Sequence, residues 1–184
     1  MILTDREVEI ALDSEHIIIR PRPDLKLALS STTLDLTLSD IFVVWNPMKG
    51  TTIHPGAAEY SYNNILPMQH RSQQPSYTLL PQSFVLAWTA EEVTLPERSK
   101  IAARVEGKSS LARLGVGVHV TAPTIHSGFT GNIQLEIFNF GPHQIVLDAG
   151  MRICQLIFEQ TYGTPMKGYS GLFAGQKLPW RTEA

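Results

Sequence analysis

Cysteine is almost missing from this chain. Cys154 is the only one in 184 residues, so no intrachain disulfide can form, and the composition suits a reducing compartment. Its neighbours in "RICQLIF" are apolar, so a buried and inert thiol is expected. Long apolar runs are missing too. The opening "MILTDREVEIALD" lacks the core of a signal peptide, and no later stretch could cross a bilayer, so the expected location is the cytoplasm, with no membrane partner. No lysine- or arginine-rich block occurs, and the formal net charge is −2, which excludes the basic face of a general nucleic-acid binder. The six histidines are scattered, with no H-E-x-x-H and no cysteine pair, so no metal is expected on protein side chains. The G-x-S-x-G of a serine hydrolase and the H-x-E with P-C-x-x-C of zinc deaminases are absent as well.

What is present is mostly β. The length fits one domain with a real core, and neither an internal repeat nor a linker is visible. Thr4-Asp-Arg-Glu7 matches a capping box, and Val8, Ala11 and Leu12 follow at helical spacing. "HIIIR" reads as a strand ended by "PRP", "TLDLTL" as another, and "IFVVW" as a third stopped by Asn46-Pro47. Residues 50–76 are polar and rich in turn formers, which predicts a long loop. "SFVLAW" reads as a strand and "AEEVTLPE" as a turn or short helix. "IAARVE", "GVGVHVTA", "GNIQLEIFN", "QIVLDAG" and "RICQLIFEQ" are strands at regular spacing, the pattern of a closed or sandwiched antiparallel domain. The last segment, "GTPMKGYSGLFAGQKLPWRTEA", reads as a floppy tail, with Tyr169, Phe173 and Trp180 available for docking.

Two stretches carry candidate chemistry. "GKSSLARLG" (107–115) ends like a phosphate loop, yet Ala102 stands where a Walker A loop needs glycine. A weaker argument survives: Ser109 and Ser110 are good N-cap residues, and free N–H groups at a helix start beside Lys108 and Arg113 suit a phosphate. The plain alternative is a capped turn with two solvated cations. In "NIQLEIF", Ile133, Leu135 and Ile137 fall on one face and Gln134, Glu136 and Phe138 on the other. Most strand glutamates are merely solvated. Glu136, however, lies between two turn-rich segments, "TAPTIHSGFTG" and "NFGPH", where sites tend to be built. His119 reads as a satisfied strand histidine and His126 as an exposed loop histidine.

Taken together, "VEGKSSLARLG", "VHVTAPTIHSGFTGNIQLEI" and "GMRICQLIF" resemble the dCTP deaminase branch of the trimeric dUTPase-like superfamily. "ILTDREVEIAL", "SSTTLDLTL" and "LLPQSFVLAWTAEEVTLPE" continue the resemblance, and residues 46–76 have no counterpart in it. The resemblance implies a mainly β fold, a dUTPase-like β-barrel or β-clip of distorted jelly-roll type, with a short N-terminal helix and a flexible C-terminal tail. It implies a single domain over residues 1–184, in which 163–184 cover the nucleotide. It implies a homotrimer with sites at subunit interfaces, dCTP and dUTP as ligands, dTTP as an inhibitor of some members, and Mg²⁺ entering with the triphosphate.

Residue by residue, the resemblance makes Lys108, Ser109, Ser110, Leu111, Ala112 and Arg113 the triphosphate cradle. Ser109 and Arg113 also approach the base and the reacting water. Glu136 is the catalytic glutamate, and the Ala122 carbonyl helps to hold the water. Gln134 and Leu135 line the pyrimidine, and Tyr169 and Gln176 meet the nucleotide when the tail closes. Three positions depart from the pattern: His126 stands for an aspartate that meets the deoxyribose, Thr124 for arginine or a bulky residue, and Leu172 for a lysine. The expected activity is hydrolytic deamination of dCTP to dUTP and ammonia. A bifunctional enzyme releasing dUMP and diphosphate, a non-catalytic nucleotide-binding trimer, and an enzyme for a modified pyrimidine remain as alternatives.

Overall fold

A computed structural model describes residues 1–171 and 175–178, so the expectations for Leu172, Phe173 and Trp180 lie outside the described residues. The first helix, α1 (Asp5–Asp13), begins where the capping box predicts. The Glu7 carboxylate accepts from the Thr4 N–H at 3.1 Å and from the Thr4 hydroxyl, while Val8, Ala11 and Leu12 turn into the core. Strand β1 (Ile18–Arg20) and the single turn α2 (Leu25–Ala28) follow, the latter started by the Asp24 side chain accepting from the Lys26 N–H.

"TLDLTL" and "IFVVW" prove to be one strand, β2 (Leu34–Trp45). Its register against β5 (Phe84–Thr94) shifts between Leu38 and Phe42. Leu34, Leu36, Leu38 and Phe42 enter the main core, while Ile41 and Val43 face the opposite side of the sheet. The predicted loop at 50–76 is irregular only as far as Met68 and contains two short 3-10 turns, Tyr62–Asn64 and Leu66–Met68. Then β3 (Gln69–Gln73) pairs with β2, and β4 (Ser76–Leu79) with β10 (Ile145–Asp148). Polar "QHRSQ" hides this strand from periodicity because it is bonded on one side only and keeps little apolar surface.

"AEEVTLPE" is not a turn or short helix over its first half: β5 runs on to Thr94, and only Glu97–Ser99 coil into a 3-10 turn. The strand continues because β1 pairs with it and because Glu91, 4% exposed, accepts from the N–H and the hydroxyl of Thr37 at 2.9 and 2.7 Å. Next come β6 (Ile101–Gly107), the four-residue α3 (Ser109–Ala112) and the very short β7 (Val116–Gly117). The predicted strand "GVGVHVTA" therefore stops after two residues, its remainder diverging to line a cavity. β8 (Thr124–Ile125), β9 (Thr130–Asn139), β10 and β11 (Arg152–Gln160) complete the strands among the described residues.

The strands form an antiparallel sheet in the order β7-β9-β5-β2-β11-β6-β8, with β1 on β5 and β3 on β2, and a separate β4–β10 pair. This is the mainly β architecture expected. Phe158, Leu156, Leu135 and Ile137 sit at its centre with no exposed surface. Among the described residues no helix is long and apolar enough to cross a membrane. Cys154 lies in the same core, fully buried, and burial pushes its thiol far above the ordinary range. Native protein should therefore leave Cys154 untouched by a thiol reagent, with one equivalent reacting in denaturant; rapid native labelling would contradict this packing.

Candidate active site

Strand β9 presents its two faces as the alternation predicts: Ile133, Leu135 and Ile137 are buried, while Gln134, Glu136 and Phe138 are half-buried on the other side. That second face looks into a cavity of about 730 Å³ whose walls include Glu136, Gln134, Ala122 and His126. Glu136 is the only carboxylate among the described residues that line it. Behind it the sheet is pinned by a buried network. Asn132 donates its amide to the Thr89 carbonyl at 3.1 Å, and the Thr89 hydroxyl accepts from the Ile133 N–H at 3.0 Å. These bonds span the point where β5 and β9 change register, between Trp88 and Glu92, and so hold the strand that carries the glutamate.

Glu136 Oε2 is buried and accepts no hydrogen bond. Facing it is His119, whose Nδ1 lies 3.5 Å away and makes no hydrogen bond to it. His119 is fixed from its other end, with Nε2 2.7 Å from the Ala122 carbonyl. A carbonyl only accepts, so Nε2 carries the hydrogen. Nδ1 is then the ring nitrogen turned toward the carboxylate. The Ala122 oxygen expected to hold a water is thus shared with His119, which leaves it one free lone pair.

On the opposite wall His126 is stacked face to face on Tyr169, with ring centres 5.1 Å apart at 20°, and Phe129 tilts against the same tyrosine at 6.1 Å. The tail returns here. Gly175 N–H donates to Thr130, Asn132 N–H to Gln176, and the Gln176 side chain to the Asn132 carbonyl at 3.0 Å. Leu178 is buried against Ile41, Val43, Leu86 and Trp88. Gly131 makes this approach possible: its φ is +146°, and a Cβ there would lie 2.3 Å from the Gln176 carbonyl oxygen. Gly131→Ala should therefore dislodge the tail, seen as severalfold faster tryptic cleavage at Lys177 and a raised KM with a smaller change in kcat. Unchanged cleavage would show that the tail is not seated through this contact.

The expected phosphate cradle lies elsewhere. None of Lys108–Arg113 lines the cavity of its own chain. The helical turn forms, but its N-cap is Lys108, with Ser109 and Ser110 as the first helical residues. Lys108 Nζ is paired with buried Asp35 at 2.5 Å, and Arg152 stands 3.7 Å from the same oxygen. Leu111 is half-buried against the core. Ser109, Ser110, Ala112 and Arg113 are exposed, and Arg113 has no ion-pair partner among the described residues. Leu135 is fully buried on the core side of β9, so only its main chain is left to meet a base.

The dCTP deaminase-like family matches residues 2–161, most of the chain. The chain belongs to that family. A dCTP deaminase of Thermomicrobium roseum is 34% identical over 183 residues, covering 97% of this chain and 91% of that protein. A dUMP-forming dCTP deaminase of Methanobrevibacter smithii is 37% identical over 168 residues, 89% of this chain and 82% of its own length. Among solved structures, the 2'-deoxycytidine 5'-triphosphate deaminase of Agrobacterium tumefaciens superposes with a TM-score of 0.64 at 21% identity, over 85% of this chain. This chain spans 47% of that longer one, and at such identity the likeness speaks for the fold.

Within this dCTP deaminase-like frame, the cavity includes residues that sequence patterns did not single out. Trp45 ends β2, Phe84 and Leu86 lie on β5, and Tyr62 comes from the excursion between β2 and β3. Leu86 stands directly opposite Glu136 in the β5–β9 register. The available signal was aromatic: a tyrosine and a tryptophan in or beside a polar loop must cover something apolar. Thr124, where the family pattern has a larger residue, is exposed on the cavity rim and leaves it open.

Proposed function

We propose that the protein is a dCTP deaminase that converts dCTP and water to dUTP and ammonia. The observation that carries this reading is Glu136: among the described residues the only carboxylate lining the cavity, with one oxygen buried and accepting no hydrogen bond, in a cavity that Ala122 also lines. A carboxylate so placed can take a proton from water as the oxygen attacks C4, pass it to N3, and later help protonate the departing amino group. The C4–N4 bond then breaks and ammonia leaves. His119, anchored on the Ala122 carbonyl, packs beside Glu136. Gln134 and the main chain at Leu135 face the base, and His126, Phe129 and Tyr169 form the wall for the deoxyribose, with His126 donating to a sugar hydroxyl where the family pattern has aspartate.

The cradle at Lys108–Arg113 serves the site of a neighbouring subunit in a trimer. Its exposure, its absence from the cavity of its own chain and the unpaired Arg113 support this arrangement. Ser109 and Arg113 reach the reacting centre from that neighbour, and Lys108, held by Asp35, keeps ammonium hydrogens for phosphate. The tail around Gln176 closes over the nucleotide. Mg²⁺ is part of the substrate, bound to its phosphates. Among the described residues no group of three or more His, Cys, Asp or Glu side chains comes together.

The relatives carry both names, dCTP deaminase and dUMP-forming dCTP deaminase, so the product is the decisive measurement. Incubation of the protein with dCTP and Mg²⁺, resolved by chromatography, should accumulate dUTP, because His126 replaces the aspartate that the second hydrolysis uses. Release of dUMP without dUTP would establish the bifunctional reaction. Binding of dCTP without any product would replace catalysis by nucleotide sensing.

A further inference from the structure

The cavity does not end at Glu136. Past Leu86 and Phe84 it reaches Trp45 and Tyr62, and a second hollow of about 200 Å³ adjoins it, sharing Tyr62, Gln134 and Gln176. The outer wall of this hollow is built by Asn63, Gln69 and Arg71, from the stretch that has no counterpart in the family motifs. Tyr62 is set between the two spaces. Its ring stands edge-on to Trp45, centres 6.3 Å apart at 87°, and its hydroxyl accepts from the Gln69 amide at 3.1 Å.

The lining of this hollow is polar and carries no negative charge among the described residues. A guanidinium, several amides and an indole line it. Trp88 is 5% exposed, and its indole N–H is buried with no acceptor among the described residues. An indole nitrogen can only donate, and proteins leave few buried donors unpaired because the desolvation is not recovered. Trp88 stands directly opposite Gln134 on β9, two residues before Glu136 on the same face and about 7 Å from it along the strand. The donor-rich hollow is therefore within reach of a group attached to a base whose C4 meets Glu136.

We propose that this hollow reads an oxygen-bearing substituent at C5 of the pyrimidine, so that the preferred substrate is a 5-modified dCTP of the 5-hydroxymethyl class. The inference rests on the assignment of Glu136 to C4. N3 must stay free to receive a proton, which leaves C5 as the ring position beside C4 that can carry a group. A hydroxymethyl oxygen accepts from the Trp88 indole or from the amides around it. A methyl group occupies nearly the same space and offers nothing to accept. The deamination balances as before: water adds at C4, ammonia leaves, and the C5 substituent is unchanged.

The test compares dCTP, 5-methyl-dCTP and 5-hydroxymethyl-dCTP on the full chain. It reads kcat/KM in the active protein and Kd by calorimetry in Glu136→Gln, so that preference is measured with and without turnover. The hydroxymethyl nucleotide should be favoured over the methyl one by about tenfold, the worth of one net hydrogen bond. Trp88→Phe, which removes the N–H and keeps the aromatic bulk, should collapse that ratio. Asn63→Ala, at an exposed position, should reduce it without lowering Tm. Equal values for the methyl and hydroxymethyl nucleotides, or a preference that survives both substitutions, would overturn the inference. Erasure of the preference by excess inorganic phosphate, with dCTP turnover intact, would also overturn it and make the hollow an anion site independent of the base. A preference in Kd with no turnover would uphold the hollow while refuting deamination, and failure of all three nucleotides to bind would refute both.

Discussion

Glu136→Gln should lower kcat for dCTP by about 10²–10⁴-fold, the usual contribution of a positioned acid–base group, while the Kd for dCTP stays within severalfold. Glutamine keeps the shape and one acceptor oxygen but cannot take up a proton between the attack on C4 and the loss of ammonia. Stability should not suffer. Glu136 Oε2 is buried without a hydrogen-bond partner, and His119 Nδ1 faces it at 3.5 Å. A glutamine amide turned toward Nδ1 can donate to it, so Tm should hold or rise. Steady-state kinetics, calorimetric Kd and thermal melting on the same preparation separate these effects. Near-normal turnover would remove Glu136 from the mechanism. A loss of kcat accompanied by a collapse of binding or of Tm would make it a structural residue.

Legibility in the sequence followed how local each determinant was. The capping box of α1 and the inside–outside alternation of β9 are set by neighbours within a few positions, and both could be read directly. The second half of β5 could not, because Glu91 and Glu92 look like loop residues until Thr37 and β1 are brought to them across the sheet. β3 escaped for the same reason: "QHRSQ" becomes a strand only because β2 lies alongside it. At the site, Glu136 and Gln134 could be placed on one face from spacing alone. His119 could not be linked to Glu136, since the expected strand breaks off after Gly117 and the chain turns toward the cavity. Tyr62 is brought to the cavity by tertiary contacts, its edge-on packing against Trp45 and the Gln69 amide on its hydroxyl among them. The resemblance implies that "GKSSLARLG" and Glu136 serve one site at a subunit interface, and motif order alone does not say which copy supplies which.

That question has a sharp test in subunit mixing. If Arg113 is the cation proposed for the carboxylate and the phosphates, Arg113→Ala should by itself abolish most turnover, and Glu136→Gln is disabled for a different reason. If each site takes Glu136 from one subunit and Arg113 from the next, each variant still carries the half that the other lacks. A closed ring of three copies joins unlike surfaces of successive subunits, so a site in a mixed trimer is intact whenever an Arg113→Ala subunit offers its glutamate to a Glu136→Gln subunit's loop. With random assembly from equal amounts, that occurs at about one interface in four, and activity should recover from near zero to about a quarter of wild type. The mixture must be co-refolded or co-expressed, since subunits that do not exchange would give a false negative; light scattering and a tag on one variant confirm mixed trimers. Both disabling substitutions placed in one chain and mixed with an equal amount of wild type should instead give no recovery beyond the interfaces formed between wild-type copies. Mixed trimers that remain inactive would place Arg113 and Glu136 in the same subunit's site, requiring residues 108–113 to swing into the cavity and to break the packing of Leu111 and the Lys108–Asp35 pair.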